Sequence, residues 1–303
     1  MLNQAIDSYI AIRRACGFEL KVQQGLLRNF SRYATECSQT HVRRQTAIDW
    51  AAKAPSPYQR ENRLATVRRF ALHARAEDPR HDLVPRYVFA HKRRRAFPHI
   101  FSPAELCQLL DATARLRPKG SLRPHTYHTL FALLAATGLR ISEAMRLVLD
   151  DITAHGLVVR MTKFRKSRLV PLHPTTVDAL QLYLERRQVY ATDDDHVFIS
   201  TNGQALSYPM INGTFRFLVK SIALRLKPGS PLPRIHHLRH YFTVCALERC
   251  TKAGDATARH VLALSTYLGH AHVADTYWYL QATPTLMTDI ADACEAFNNG
   301  ATP

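Results

Sequence analysis

Apolar residues recur at three- and four-residue spacing through the first eighty residues. The pattern fades near Pro79 and Pro85 and resumes at Ser102. Between the two stretches lies the run His91-Lys92-Arg93-Arg94-Arg95, followed by Phe97-Pro98. Spacing of three and four is the signature of an amphipathic helix, and a charged, proline-flanked gap in it marks a linker. This break constrains the chain most. It predicts two units, with 1–88 a helical N-terminal domain, 89–100 a basic linker and 101–303 a second domain carrying a C-terminal tail helix. Ile6, Tyr9 and Ile10 open the first helix, Leu26, Leu27, Phe30 and Tyr33 mark the second, Thr46 to Ala52 the third, and Leu64, Val67, Phe70 and Ala71 the fourth. Arg28, Arg32, Arg63, Arg68 and Arg69 fall on other faces.

Beyond the linker, Ser102-Pro103-Ala104-Glu105 reads as a helix start, with Ser as N-cap, Pro at the first helical position and Glu at the third. A helix over 126–136 ends at Thr137-Gly138, and another begins near Ser142-Glu143. Gly156 to Thr162 and Ser167 to Leu172 alternate like a hairpin whose turn is Lys163-Phe164-Arg165-Lys166, and His196 to Ser200 could add a third strand. The predicted fold class is mainly α with a small antiparallel β-sheet.

The chain has 303 residues and a net charge of +17, of which residues 1–95 carry +11. So basic a chain calls for a polyanion, and nucleic acid is the default partner. Cys16, Cys37, Cys107, Cys245, Cys250 and Cys294 form no CxxC pair and suit reduced thiols. The apolar run from Leu130 to Leu139 is too short to span a bilayer, and Asp7 before Arg13-Arg14 inverts the charge order of a signal peptide. The expectation is a cytoplasmic, nucleoid-associated protein without a membrane partner.

Four places could carry chemistry. Arg140 sits at a helix-to-helix turn, with Glu143 three residues on, able to hold it or simply to form a surface pair. Lys163 sits at the hairpin tip, where Lys166, Arg165 and Arg168 compete with it. His236 and Arg239 lie three apart on one helix face, so both could reach one phosphate. His236 and His240 could instead bind zinc, but a metalloprotease would need Glu where His237 stands and no third ligand is evident. Last, Gly269-His270 suits a helix start, and Tyr277, Trp278 and Tyr279 follow, any of which could be a core aromatic.

Taken in order, Arg140, Lys163, His236-x-x-Arg239, Leu-Gly-His270 and Tyr279 resemble the catalytic set of the tyrosine recombinases, the phage integrase family. The flanks Thr-Gly-Leu-Arg140-Ile-Ser-Glu, Arg-Leu-Val-Pro-Leu and His-x-Leu-Arg239-His-x-Phe match too, and the resemblance runs from about Phe101 to Leu280. The Asp-Thr-Tyr-Trp-Tyr-Leu ending is most similar to recombinases of transposons and integrating elements. Phe164 stands where the family usually has Gly, and the 31 residues from Arg239 to His270 include a surplus, read as a loop, at 250–257.

The resemblance implies an N-terminal core-binding domain that clamps DNA and a catalytic domain, wrapped around duplex DNA like a C. It implies site-specific cutting and rejoining without metal or other cofactor, through a 3′-phosphotyrosyl intermediate, for integration, excision or transposition of a mobile element. In this reading Tyr279 is the nucleophile, favoured over Tyr277 by its spacing from His270. Arg140 and Arg239 clamp the phosphate, His236 donates a hydrogen bond, Lys163 is the general acid, His270 supports the phosphate or nucleophile, and Glu143 holds Arg140. Lys92, Arg93, Arg94, Arg95 and Arg165 contact the DNA backbone. The implied partners are double-stranded DNA with inverted half-sites, further copies in a tetrameric synapse, and related recombinases. Alternatives are a type IB topoisomerase, from which the Leu-Gly-His and Leu-Arg-His boxes point away, and an inactive DNA-binding relative, against which every key position is filled.

Overall fold

The computed structural model describes residues 2–89, 98–160, 167–190, 193–222, 232–251 and 257–269, with isolated positions 224, 226, 272, 276 and 295. The chain divides into two compact units, Met1–Ala96 and Phe97–Pro303.

The first unit is four helices: α1 (Leu2–Ala15), α2 (Lys21–Glu36), α3 (Arg44–Ala52) and α4 (Pro57–Glu77). Ser56 caps α4 by accepting the Gln59 amide, and Pro57 takes the first helical position, where its missing N–H is not needed. The periodic residues Ile6, Ile10, Leu27, Phe30, Leu64, Val67 and Phe70 are buried together. Phe30 meets Trp50 edge to face, and the Trp50 indole donates to Asn29 Oδ1 at 2.8 Å, which satisfies its one polar atom.

The second unit is built around α6 (Leu122–Thr137), flanked by α5 (Pro103–Ala112), α8 (Pro174–Gln188) and α10 (His236–Thr251). Leu122, Tyr127, Leu130, Phe131, Leu133 and Leu134 of α6 are all buried, so this helix is apolar on most of its circumference. Ser102 and Glu105 form the expected capping box at α5. The helix expected over 126–136 starts earlier, at Leu122. A short helix α7 (Ile141–Ala144), α9 (Tyr208–Ser221) and α11 (Thr257–Leu268) complete the α-helices among the described residues, beside two single 3-10 turns at Thr113–Arg115 and Leu149–Asp151.

The sheet has three antiparallel strands in the order β1 (Ile152–Thr153), β2 (Gly156–Val159) and β3 (Arg168–Val170). β2 and β3 pair as Leu157 with Val170, Val158 with Leu169 and Val159 with Arg168, which is the expected hairpin. The third strand is β1 and not 196–200. That segment forms only isolated bridges, Val148 to His196 and Ile199 to Ala205. Its carbonyls are taken by side chains: Arg187 donates to His196 O, Tyr183 to Val197 O and Thr126 to Ile199 O.

Candidate active site

Gly138 ends α6 with φ +63, and its amide donates to Leu134 O at 3.0 Å. A Cβ here would lie 2.5 Å from Phe242 Cδ1 and 2.9 Å from Leu268 Cδ2, so both the backbone conformation and the close approach require glycine. The chain then turns at once into α7. Arg140 is the N-cap of α7 and Glu143 its third residue, an acceptor placed at the positive end of a helix. Glu143 Oε2 accepts the Arg140 amide at 3.0 Å, and its Oε1 accepts Arg140 Nη1 at 2.8 Å. The two expected partners are therefore side by side.

β3 brings in Arg168. Alternate residues of a strand share a face, and Val170 is buried, so Arg168 points inward as well. Its Nη1 and Nη2 donate to Glu143 Oε1 and Oε2 at 3.1 and 2.8 Å, a two-pronged pair with one carboxylate. Glu143 is only 6% exposed in its side chain, against 14% for Arg168 and 30% for Arg140. Burial pushes the Glu143 carboxyl up, but the Arg168 hydrogen bonds, the Arg140 amide and the two guanidinium charges outweigh it, leaving the group at about 2. Glu143 is thus firmly anionic at neutral pH.

α10 supplies Arg239, which is 2% exposed. Its Nη1 donates to Gly138 O at 2.7 Å and its Nη2 to Leu268 O at 2.8 Å. His236, the first residue of α10, is exposed, so the N-terminal turn of the helix carries one outward imidazole and one inward guanidinium. His236 and His240 meet edge to face, with ring centroids 4.6 Å apart. Half-buried His237 is pushed down to about 4 by burial, then by the charges of His99, His236 and Arg234, so it is neutral near pH 7.

Three elements converge on the end of α11. The last carbonyls of a helix have no partner inside it. Here Tyr267 O accepts from Arg168 Nε at 2.9 Å, Leu268 O from Arg239 at 2.8 Å and Gly269 O from Arg140 Nη2 at 3.0 Å. Three consecutive carbonyls are each taken by a different arginine, an arrangement the helix dipole favours. Gly269, expected at a helix start, instead follows the end of α11. Its φ of +65 and its amide bond to Thr266 O are those of a C-terminal cap.

Lys163 and Arg165 of the hairpin turn, Lys92, Arg93, Arg94 and Arg95 of the linker, and His270, Tyr277 and Tyr279 lie outside the described residues, as does most of the 250–257 loop. Arg140, Glu143, His236 and Arg239 lie within them. The role of Arg168 was not legible from its own box, where Lys166 and Arg165 compete with it. The available signal was its two-residue spacing from the core residue Val170. One group of metal-capable side chains occurs among the described residues, His41, Asp78 and His81 in the first unit. His81 Nδ1 accepts the Val42 amide, His41 bonds Thr40 and Asp78, and Arg80 occupies Asp78. A neutral His81 then carries its proton on Nε2 and has no bare nitrogen left for an ion.

Residues 99–285 match the family model described as the phage integrase family. The chain belongs to this family. Its members are the tyrosine recombinases, and the chain is accordingly an enzyme that breaks and rejoins DNA strands. It is 38% identical over 298 residues to the predicted integrase/recombinase y4rB of Sinorhizobium fredii, covering 95% of each chain. It is 30% identical over 206 residues to the tyrosine recombinase XerD of Listeria monocytogenes, covering 66% of this chain and 63% of that one. Among solved structures, the Tn1549 transposon integrase in complex with transposon right end DNA shares the fold, with TM-score 0.64 at 20% identity over 92% of this chain and 94% of that one. XerH recombinase bound to a palindromic difH substrate gives 0.61 at 17% over 89% and 78%.

Proposed function

We propose that this recombinase moves a mobile DNA element by a phosphotyrosyl mechanism with Tyr279 as nucleophile. The Tyr279 oxygen attacks a phosphodiester, its proton is released, and the bond from phosphorus to the 5′-oxygen breaks. The 3′-phosphate is left on tyrosine and a 5′-hydroxyl is freed, so that another 5′-hydroxyl can reverse the step without ATP. Arg140 and Arg239 stabilise the charge that develops on the non-bridging oxygens. His236 adds a hydrogen bond, His270 supports the phosphate or the nucleophile, and Lys163 protonates the departing 5′-oxygen. The observation that carries this reading is the convergence of Arg140 and Arg239 on the same helix end, one residue before His270, with Glu143 fixing the more exposed of the two.

The first unit and the linker residues Lys92, Arg93, Arg94 and Arg95 grip the DNA backbone, with Arg165 at the hairpin, in keeping with the net +11 of residues 1–95. The protein acts on inverted half-sites as a tetramer, alone or beside related recombinases, in the cytoplasm at the nucleoid. For the tail stripe Leu286, Ile290, Ala291 and Ala293 the two readings are docking on a neighbouring protomer in the synapse and packing on its own domain. On the docking reading, deleting 283–303 abolishes synapsis and spares half-site binding, and unchanged synapsis refutes the docking.

The test is a suicide substrate, a nicked duplex from the ends of the DNA element that carries the gene, incubated without metal and resolved on a denaturing gel. Wild type and Tyr277→Phe form a covalent adduct and Tyr279→Phe does not. An adduct from Tyr279→Phe overturns the assignment of the nucleophile, and none from wild type at either end overturns the reading.

A further inference from the structure

Arg168 is the arginine of the cluster that the mechanism above does not use. Resting on that recombinase reading, we infer that Arg168 is a positioning residue for strand cleavage. It locks the end of α11, and so the start of the segment leading to His270 and Tyr279, against the Arg140–Glu143 pair.

Four observations support this. First, Arg168 bonds both Glu143 and the last turn of α11, as Arg140 bonds Glu143 and the Gly269 carbonyl just beyond it. Two Arg168 prongs take the two carboxylate oxygens, and its Nε takes Tyr267 O. Each Glu143 oxygen is thereby shared between an Arg168 prong and an Arg140 group, Oε1 with the Arg140 side chain and Oε2 with its amide. The carboxylate cannot swing without breaking bonds to both. Second, at 14% side-chain exposure Arg168 is more enclosed than Arg140 at 30%, with three bonds already committed to protein groups. All three of its guanidinium nitrogens donate to protein groups. Third, Gly269 is shaped around it. A Cβ there would lie 2.9 Å from Arg168 Nη1 and 3.1 Å from Cζ, so the guanidinium comes close against the backbone of the turn whose carbonyl Arg140 grips. Fourth, Arg168 opens β3, directly after the hairpin turn that contains Lys163. One side chain therefore ties the strand behind the general acid, the clamp arginine's carboxylate and the helix leading to the nucleophile. A lysine is a single point charge on a flexible stem and cannot make the three bonds of this fork.

The test measures single-turnover adduct formation on the nicked suicide duplex for wild type, Arg168→Met and Arg168→Lys, with Tyr279→Phe as the blank. Half-site affinity is read separately by gel shift. A misplacement of about 1 Å costs about a hundredfold in rate, so Arg168→Met loses about that factor. Arg168→Lys, which keeps the charge and serves as the folded comparison if the Met variant melts early, remains well below wild type. Affinity stays within about threefold for both, a loss in the chemical step alone. A second readout separates positioning from mere support of the fold. Without Arg168 the Glu143 carboxyl moves up toward its ordinary range, so the variant rate falls between pH 6 and pH 4.5, where the Glu143 of wild type stays ionised. Wild-type rates in both variants, or affinity falling in step with rate, overturn the inference and leave the recombinase reading standing. No adduct from wild type overturns that reading and the inference with it.

Discussion

Replacing Glu143 with Gln removes one charge from a site where two guanidinium groups depend on it. The magnitude follows from the titration of the group. A carboxyl at about 2 in the folded chain, against an ordinary 4.5, contributes about 3 kcal/mol at neutral pH, at about 1.4 kcal/mol per tenfold change. Removing one partner of a buried ion pair costs about 3–5 kcal/mol, which agrees. For a unit of this size that is a fall in melting temperature of about 6–12 °C. The sign of the pH dependence is fixed as well. A carboxyl whose folded value lies below its unfolded one stabilises fully above the unfolded value and loses that contribution as pH falls toward the folded one. The gap between wild type and Glu143→Gln is therefore complete above about pH 5.5 and shrinks to about half or less at pH 3. Urea unfolding of both proteins followed by circular dichroism at pH 7, 5 and 3 measures it. A gap under about 1 kcal/mol at pH 7, or one that does not narrow in acid, would show that Glu143 is not the charge on which the cluster is built.

Gly138→Ala combines a left-handed backbone with a Cβ driven into Phe242 and Leu268, and should cost about 2–5 kcal/mol. Gly120→Ala, at φ +74 with nothing within 4 Å, bears only the backbone part, about 1 kcal/mol, and equal losses in thermal melts of the two would refute the packing argument. In the first unit, burial and then the neighbouring His41 push His81 below its ordinary value, and its Nδ1 accepts the Val42 amide at 3.0 Å. A histidine with a depressed folded value stabilises fully above its unfolded value, near 6.5, and loses that contribution as pH falls. Protection of the Val42 amide from hydrogen exchange, corrected for intrinsic rate, therefore weakens below about pH 6.5, and His81→Asn flattens that slope; an unchanged slope rejects the link.

The helices were legible because their causes are local. Ser102 and Glu105 cap α5 within one turn, Gly138 ends α6 where a left-handed residue is needed, and the core stripes of α1, α2 and α4 repeat at helical spacing. The Arg140–Glu143 pair was legible for the same reason, since its partners are three residues apart. What escaped depends on long-range contacts. The segment 196–200 is held by long-range bonds, its carbonyls accepting from Tyr183, Arg187 and Thr126, and it makes only isolated bridges. Gly269 accommodates a helix start or a helix end equally well, and the end of α11 is settled by guanidinium groups 129, 99 and 29 residues away in sequence. Arg168 is a basic residue in a basic stretch, and that it faces inward is decided by strand register, which composition does not carry.

On the proposed mechanism the arginine cluster also accounts for a phosphodiester fitting it better as the reaction proceeds. The cluster holds three guanidinium groups, two of them bonded to its one carboxylate, and the C-terminal end of α11 adds about half a negative charge, leaving about +1.5 in a partly enclosed site. A phosphodiester brings one negative charge and the phosphorane two, so the residual positive charge is not satisfied by substrate alone and is met only as the transition state forms. The same bonds to α11 and Glu143 hold the guanidinium groups in place beforehand, so little side-chain freedom, worth about 2 kcal/mol for each arginine, remains to be lost when DNA arrives. On this account the helix end is not a passive neighbour of the clamp. It supplies the acceptors that aim Arg140 and Arg239, and the glycine after it leaves room for Arg168, whose bonds to Glu143 hold the partner of Arg140.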